Sequence, residues 1–425
     1  MGLSERRASR LLLVSTLAPS SRVPLLEAFA ERHRVWMLTG GVGRPSSPSW
    51  EGAYLEGHTA VDTRDAAAVI EAARVLHARE PLAGVVCCDE TRLVSAARVA
   101  EALGLPGSPP EAVAACRDKY RTRAALAARG VSRVRCLSVR SADEARRAAA
   151  EIGYPVVVKP RDQCNSHGVT RVDDPAAIAE AYARAAHAPW AEMAHEQPDA
   201  VLVEEYLDGP EISVDAVAYQ GRARVAVVAR KETGFAPSFE ETGHLVDAAD
   251  PLLEDERLAE VVEGALGAVG YHTGAAHIEL RITDYGYKIV EINARIGGGL
   301  IPLLGRLATG VDVHRAVVDV ACGRPPVLER TRSGAAAIRF AYPEHDLVVR
   351  EVRIDRGLLP AGIERAQALA EPGQSMRLPP RGVAWQSRLA QFVAVAGDAA
   401  SCSVLLDSAV KALTVVAEPS SPAEP

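Results

Sequence analysis

Residues 277–299 read HIELRITDYGYKIVEINARIGGG, and this stretch decides the fold. Two apolar runs, His277 to Ile282 and Tyr287 to Ile292, flank Asp284, Tyr285 and Gly286, a pattern that predicts a β-hairpin. A tight turn at Gly286 folds Glu279 of the first strand against Glu291 of the second. Asn293 lies two residues beyond Glu291 and projects from the same face. Two carboxylates and an amide oxygen make a hard-oxygen donor set. Such a set suits Mg²⁺ that keeps several waters and bridges phosphates. The plain alternative is an edge hairpin whose acids face water. Both acids are embedded in apolar strands and Asn293-Ala294-Arg295 follows the second, so the metal reading is the stronger.

Upstream, the basic residues are informative. Of 48 lysines and arginines only five are lysine: Lys119, Lys159, Lys231, Lys288 and Lys411. Where lysine is kept, a compact ammonium can do what a guanidinium fork cannot. Lys159 ends the buried strand YPVVVK at 154–159. From there it can reach a phosphate as a point charge while its stem stays packed. Lys119, in RDKYR, is a weaker candidate, and Lys231 weaker still. The loop 161–169, RDQCNSHGV, is rich in small polar residues and can turn backbone N–H groups toward a phosphate, although most such loops are only turns. Residues 204–211, EEYLDGPE, run from strand through turn to strand. The backbone at 205 and 207 can meet the edge of a flat heterocycle, and Glu211 can accept from a ribose hydroxyl pair. Taken alone, that segment reads as an ordinary hairpin with exposed acids.

Outward from these motifs the chain divides in three. RLLLV at 10–14, VWML at 35–38 and GVVCC at 84–88 read as buried strands. Helices over 24–32, 66–79 and 91–103 accompany them, and the alternation predicts a parallel α/β unit over residues 1–115. Gly40-Gly41-Val42-Gly43 lacks the dinucleotide-binding spacing and reads as a turn. The second unit, 116–330, is introduced by a helix over 111–129. It continues with strands at 134–139, 154–159, 201–206, 211–219 and 224–229 and helices at 141–151, 175–186, 254–269 and 311–321. Ser141 and Glu144 form a capping box, and a small lid subdomain is expected over about 155–225. Residues 331–425 form an α+β portion with a closing helix over 399–413 and a frayed tail from Ala417.

Composition excludes several classes. A chain of 425 residues and 45.0 kDa needs more than one compact unit. With 48% hydrophobic and 24% charged residues it is not disordered throughout. No run reaches the ~18 apolar residues of a membrane span, so an integral membrane protein is not expected. A net charge of -7 argues against a nucleic-acid binder, and 4% aromatics against a stacking platform for single strands. Seven scattered cysteines without a C-x-x-C pair fit a reducing cytoplasm better than a disulfide framework or structural zinc. Arg6-Arg7 before Leu11 to Val14 imitates a signal peptide, but Ser15 and Thr16 break the apolar run, which reads as a first buried strand. Neither a P-loop nor a kinase signature set is present.

In their order along roughly residues 1–340, these motifs resemble the ATP-grasp superfamily. FEETGH at 239–244 and NARIGGG at 293–299 are similar to its L-amino-acid ligase group, the carboxylate–amine ligases that join amino acids. The resemblance implies an α/β and α+β chain: an N-terminal parallel α/β domain, a central grasp with a small lid, and a C-terminal α+β portion. It implies ATP and two Mg²⁺ ions as cofactors, with Mn²⁺ able to replace them. Lys119 and Lys159 would hold the ATP phosphates, with Ser166, His167 and Gly168 in the lid loop. That loop reads CNSHG where relatives are often glycine-rich, which puts its lid contacts in question. Glu204, Glu205 and Leu207 would border adenine, the last two through backbone, and Glu211 would hold the ribose. Glu279, Glu291 and Asn293 would bind the metals, with Glu291 bridging. Arg295 would act beside Lys159 in catalysis, holding the substrate carboxylate and the oxyanion. Glu241, His244, Gly298 and Gly299 would face the amino acid, the glycines leaving room for a bulky donor.

The implied reaction is ATP-dependent amide formation through an acyl phosphate, releasing ADP and phosphate. The implied partners are small amino-acid or other carboxylate and amine substrates, not nucleic acid or membrane, in a cytoplasmic homodimer. Two other readings stay open. A bicarbonate-dependent carboxylating ligase of the same fold would need a pocket that the sequence does not announce. A non-catalytic nucleotide-binding module would be marked by loss of one metal carboxylate.

Overall fold

The computed structural model describes residues 9–15, 19–40, 53–187 and 201–419. Arg6-Arg7, the expected turn at Gly41-Val42-Gly43, and the tail beyond Pro419 lie outside the described residues. Strands in the N-terminal part pair in parallel, in the order Gly57–Ala60, Arg34–Thr39, Arg10–Ser15, Leu82–Val86. Burial on both faces explains the continuous hydrophobic run of the central Arg10–Ser15, whereas the edge strand Gly57–Ala60, GHTA, is partly exposed and has none.

The rest is built on an eight-stranded antiparallel sheet. Its order is Gly286–Asn293, Gly274–Thr283, Glu211–Tyr219, Arg222–Gly234, Glu240–Asp247, Ala335–Ala341, Ala390–Ala396, Ile363–Ala368. The C-terminal α+β portion thus adds three strands to the sheet that carries the hairpin. A second, small sheet orders Cys136–Val139, Val201–Glu205, Val156–Pro160 and Thr170–Val172. The lid expected over about 155–225 is therefore drawn differently by pairing. The small sheet takes in residues from 136, and Glu211–Tyr219 belongs to the large sheet, where Gly274–Thr283 pairs with it.

Two further expectations are corrected. The helix over 111–129 is two helices, Pro110–Arg117 and Lys119–Ala128, separated at Asp118. Asp118 is extended there, caps the second helix at Tyr120 and Arg121, and takes both ends of the Arg161 fork at 2.7 and 2.5 Å. Residues 417–419, expected to belong to a frayed tail, are strand, because Leu413–Pro419 pairs antiparallel with Leu347–Ile354.

One apolar cluster fuses the N-terminal sheet to the large one, joining Leu11, Leu13 and Phe29 to Val227, Leu304 and Val317. Backbones meet closely in this seam: a Cβ on Gly84 would lie 2.4 Å from the Ala321 carbonyl oxygen, so only glycine fits.

Candidate active site

The hairpin forms as its sequence directs. In register, Glu279 stands opposite Glu291 and His277 opposite Asn293, and the pairing shifts between Glu279 and Leu280. Such bulges re-aim side chains beside sites. Both carboxylates line a cavity of about 210 Å³, together with Lys119, Lys159 and Arg295.

The break at Asp118 sets Lys119 at the first turn of its helix, with its N–H on the Arg161 carbonyl at 3.2 Å. Its ammonium donates to the Gln163 carbonyl at 2.5 Å and stands 3.3 Å from Glu291. Burial pulls this lysine's pKa down, but Glu291 and its neighbours outweigh burial and raise it. At Lys159 burial wins and the pKa is lowered, although Glu204 is 2.6 Å away. Arg123 holds the same carboxylate with two bonds of 2.9 Å. Burial disfavours the ionised Glu204, yet Arg123 and Lys159 hold it well below the usual carboxylate range. Glu204 is thus a fixed counter-ion that anchors Lys159.

Sequence reasoning underrated Lys231. It is buried between three acids, with its ammonium 2.7 Å from Glu211, 3.0 Å from Glu279 and 3.1 Å from Glu241. Burial opposes the charge, but Glu211, Glu279 and Glu241 hold its pKa well above the usual value. Glu211 also takes Arg281 at 2.6 Å, so the expected ribose acceptor is already an ion-pair partner. The usable signal was lysine scarcity, since three of the five lysines line this cavity.

Glu90 was also missed. It lies just past a parallel strand of the N-terminal sheet, the end of such strands where ligand sites gather. Its carboxylate accepts from Arg295 Nε at 2.6 Å, and Arg295 Nη1 donates to the Ile296 carbonyl at 2.9 Å. Burial pulls against the Arg295 charge, but Glu90 raises its pKa further.

Other predicted residues fall as follows. Ser166 and His167 line the cavity; Gly168 is not among the lining residues. Asn165 and Ser166 are left-handed (φ 55 and 54), and the Ser166 hydroxyl donates to the Phe239 carbonyl at 2.9 Å. Glu205 and Leu207 line the cavity, and the Glu205 N–H donates to the Arg135 carbonyl at 3.0 Å. Glu241 lines it as well, whereas His244 is buried behind it, with Nε2 3.4 Å from the Glu241 carboxylate.

The room expected at Gly299 is occupied. Its φ is +56, and a Cβ there would lie 2.5 Å from His244 Nε2. At Gly298 a Cβ would meet nothing within 4 Å. Gly299→Trp is therefore expected to destabilise the fold by about 1–3 kcal/mol through overpacking, rather than to tune donor size. Urea midpoints for Gly299→Trp and Gly298→Ala check this, and a wild-type midpoint for Gly299→Trp would contradict it.

The donor set fits divalent cations that complete their shells with phosphate and water oxygens. Among the described residues no three His, Cys, Asp or Glu converge on a metal position. The protein offers two carboxylates and the Asn293 amide, and Glu279 is fully ionised: burial opposes this, but Lys231 and His277 hold its pKa far below normal. His277 is itself gripped by buried Asp215 at 2.7 Å. Burial pulls the imidazole down, yet Asp215 and Glu279 raise it to about 9.

Known proteins match this architecture. The ATP-grasp domain model covers residues 152–302, and the ATP-grasp N-terminal domain model residues 48–107. The chain is 29% identical over 358 residues to an uncharacterised protein of Sinorhizobium fredii, covering 83% of this chain and 72% of that one. It is 27% identical over 332 residues to the alanine–anticapsin ligase of Bacillus subtilis, 68% of either chain. It is 29% identical over 302 residues to mouse carnosine synthase 1, 66% of this chain but 35% of that one. The chain thus spans about a third of the length of the carnosine synthases it matches. The structure of L-amino acid ligase from Bacillus licheniformis agrees in fold, with TM-score 0.77 at 21% identity over 97% of this chain and 100% of that one. With the hairpin, lysines and small sheet placed around one cavity, the chain carries an ATP-grasp domain over residues 152–302, preceded by an ATP-grasp N-terminal domain over residues 48–107.

Proposed function

We propose that this chain is an ATP-dependent carboxylate–amine ligase that forms an amide bond between amino-acid-like substrates through an acyl phosphate. The observation that carries this reading is the convergence of Glu279, Glu291, Lys119, Lys159 and Arg295 on one cavity, with Glu241 at the same wall. Support comes from two relatives whose names are alanine–anticapsin ligase and carnosine synthase 1.

In this reading a substrate carboxylate attacks the γ-phosphorus of ATP in line, and ADP leaves. Lys119 and Lys159 place positive charge against the phosphates. Two Mg²⁺ ions held by Glu279, Glu291 and Asn293 would neutralise charge on the transferred group. Arg295, anchored by Glu90 through Nε, offers its Nη2 edge to the substrate carboxylate and then to the oxyanion formed when the amine attacks. Phosphate leaves as the amide forms. The small sheet and its 161–169 loop border the cavity and shield the acyl phosphate from water.

The expected nucleotide product is ADP with stoichiometric phosphate. Chromatography of the nucleotides after turnover with paired amino acids checks it, and AMP with pyrophosphate as the main products would sink the mechanism.

A further inference from the structure

Seven lysine and arginine side chains line the cavity, and six are matched. Lys119, Arg123, Lys159, Lys231, Arg281 and Arg295 each have a carboxylate oxygen within 3.3 Å. The seventh, Arg388, has its nearest carboxylate oxygen, on Glu241, at 3.8 Å. That oxygen is also 3.4 Å from His244, while the other Glu241 oxygen is 3.1 Å from Lys231. Among the described residues, Arg388 is thus the cavity cation without a committed counter-ion.

Its guanidinium is nevertheless fixed. Its central carbon lies 3.6 Å from the Phe340 ring centroid. Nε donates to the Tyr342 hydroxyl at 2.8 Å, and that hydroxyl donates to the Glu241 carbonyl at 2.8 Å. Arg388 follows Ser387, whose buried hydroxyl takes the Arg377 N–H and donates to the Arg377 carbonyl, both at 2.9 Å. Nη2 makes only a long contact, 3.5 Å to the Glu241 carbonyl, so a guanidinium stacked on one face and held at Nε presents a weakly engaged terminal edge, the two-pronged geometry that matches a carboxylate. The orientation is set before any ligand arrives, which lowers the ordering cost of binding.

Its place in the fold says which ligand this is. Phe340 also stands edge-on to His244 at 5.9 Å and 3.6 Å from where a Gly299 Cβ would sit. Arg388 therefore belongs to the glycine-run and Glu241 wall. Lys119 and Lys159 belong to the separate cluster around Glu291 and Glu204. Glu241 beside it offers negative charge to a substrate ammonium.

We propose that Arg388 anchors a substrate carboxylate other than the one that is phosphorylated, so that the site takes an amino acid bearing a second, unreacted carboxylate. This rests on the ligase reading above. The carboxylate has two possible sources: the side chain of an acidic donor, or the α-carboxylate of the amino acid that supplies the amine.

Calorimetric titration of the full chain saturated with ADP and Mg²⁺ tests it, using L-glutamate against L-glutamine and L-alanine against L-alaninamide. In at least one pair the member with the additional carboxylate should bind wild type at least about tenfold more tightly than its amide. Arg388→Gln should bring that ratio near one while changing the affinity of the amide by less than about twofold. Arg388→Lys, which keeps the charge and most of the stem packing, should restore only part of the ratio. An effect in the glutamate pair assigns the donor side chain; an effect in the alanine pair assigns the acceptor. The proposal is overturned by no preference in wild type, by an unchanged ratio in Arg388→Gln, or by a variant whose loss is confined to nucleotide affinity. Arg388-dependent preference without ADP release from any amino-acid pair would instead leave this site standing and remove the ligase reading.

Discussion

Glu291→Ala is expected to lower turnover by about three orders of magnitude, roughly 4 kcal/mol of lost transition-state stabilisation. Glu291 stands opposite Glu279 across the hairpin and 3.3 Å from Lys119, so it joins the proposed metal donors to a lysine proposed to bind phosphate. Its loss removes charge control where phosphoryl transfer would occur. The fold should survive, because Lys119 keeps its bond to the Gln163 carbonyl and the strand keeps its ladder. The cost in stability should be about 1–3 kcal/mol. Turnover and urea midpoint measured on one preparation separate the two effects. Near-normal turnover would remove Glu291 from the site, and Glu291→Gln, which keeps the shape, should be nearly as inactive.

Lys231→Met is expected to be the most destabilising single change in the cavity, at about 3–5 kcal/mol. The substitution keeps the stem volume and deletes a charge shared by Glu211, Glu241 and Glu279. Arg281 still serves Glu211 and His277 still faces Glu279, but Glu241 is left with His244 and the distant Arg388. Three acids are then left crowded together with too little positive charge between them. The control is Lys411→Met on an exposed position, which should stay within about 0.5 kcal/mol of wild type. A Lys231→Met midpoint matching that control would mean that the triple ion pair contributes nothing.

Local pattern made much of this protein legible. The hairpin was readable because alternation, a two-residue turn and paired acids all lie within one short segment, and register follows from them. The parallel N-terminal layer was readable because strands buried on both faces must be apolar throughout. The lid-strand lysine stood out because the chain otherwise writes arginine. Local pattern failed where the deciding partner came from far along the chain. The helical periodicity over 111–129 is unbroken, yet Arg161 grips Asp118 and splits it, which is what places Lys119. Three consecutive glycines read as open space, but the strand Glu240–Asp247 carries His244 against Gly299.

Lys231 shows the limit most clearly. Nothing near it in sequence marks it as the hub of three acids. It becomes one because strands Glu211–Tyr219, Arg222–Gly234 and Glu240–Asp247 are sheet neighbours and Gly274–Thr283 lies one strand further on. The same holds for Glu90 on Arg295 and for Arg388 at the far wall, contributed by the turn that follows strand Leu82–Val86 and the turn that precedes strand Ala390–Ala396. The sequence by itself determined which chemical groups were present and which short segments would form strands, because those depend on side-chain type and near-neighbour periodicity. Tertiary structure alone decided which charges face each other, because strand order is set by burial of the shared core, and a buried charge is defined by whichever partners that order brings to it.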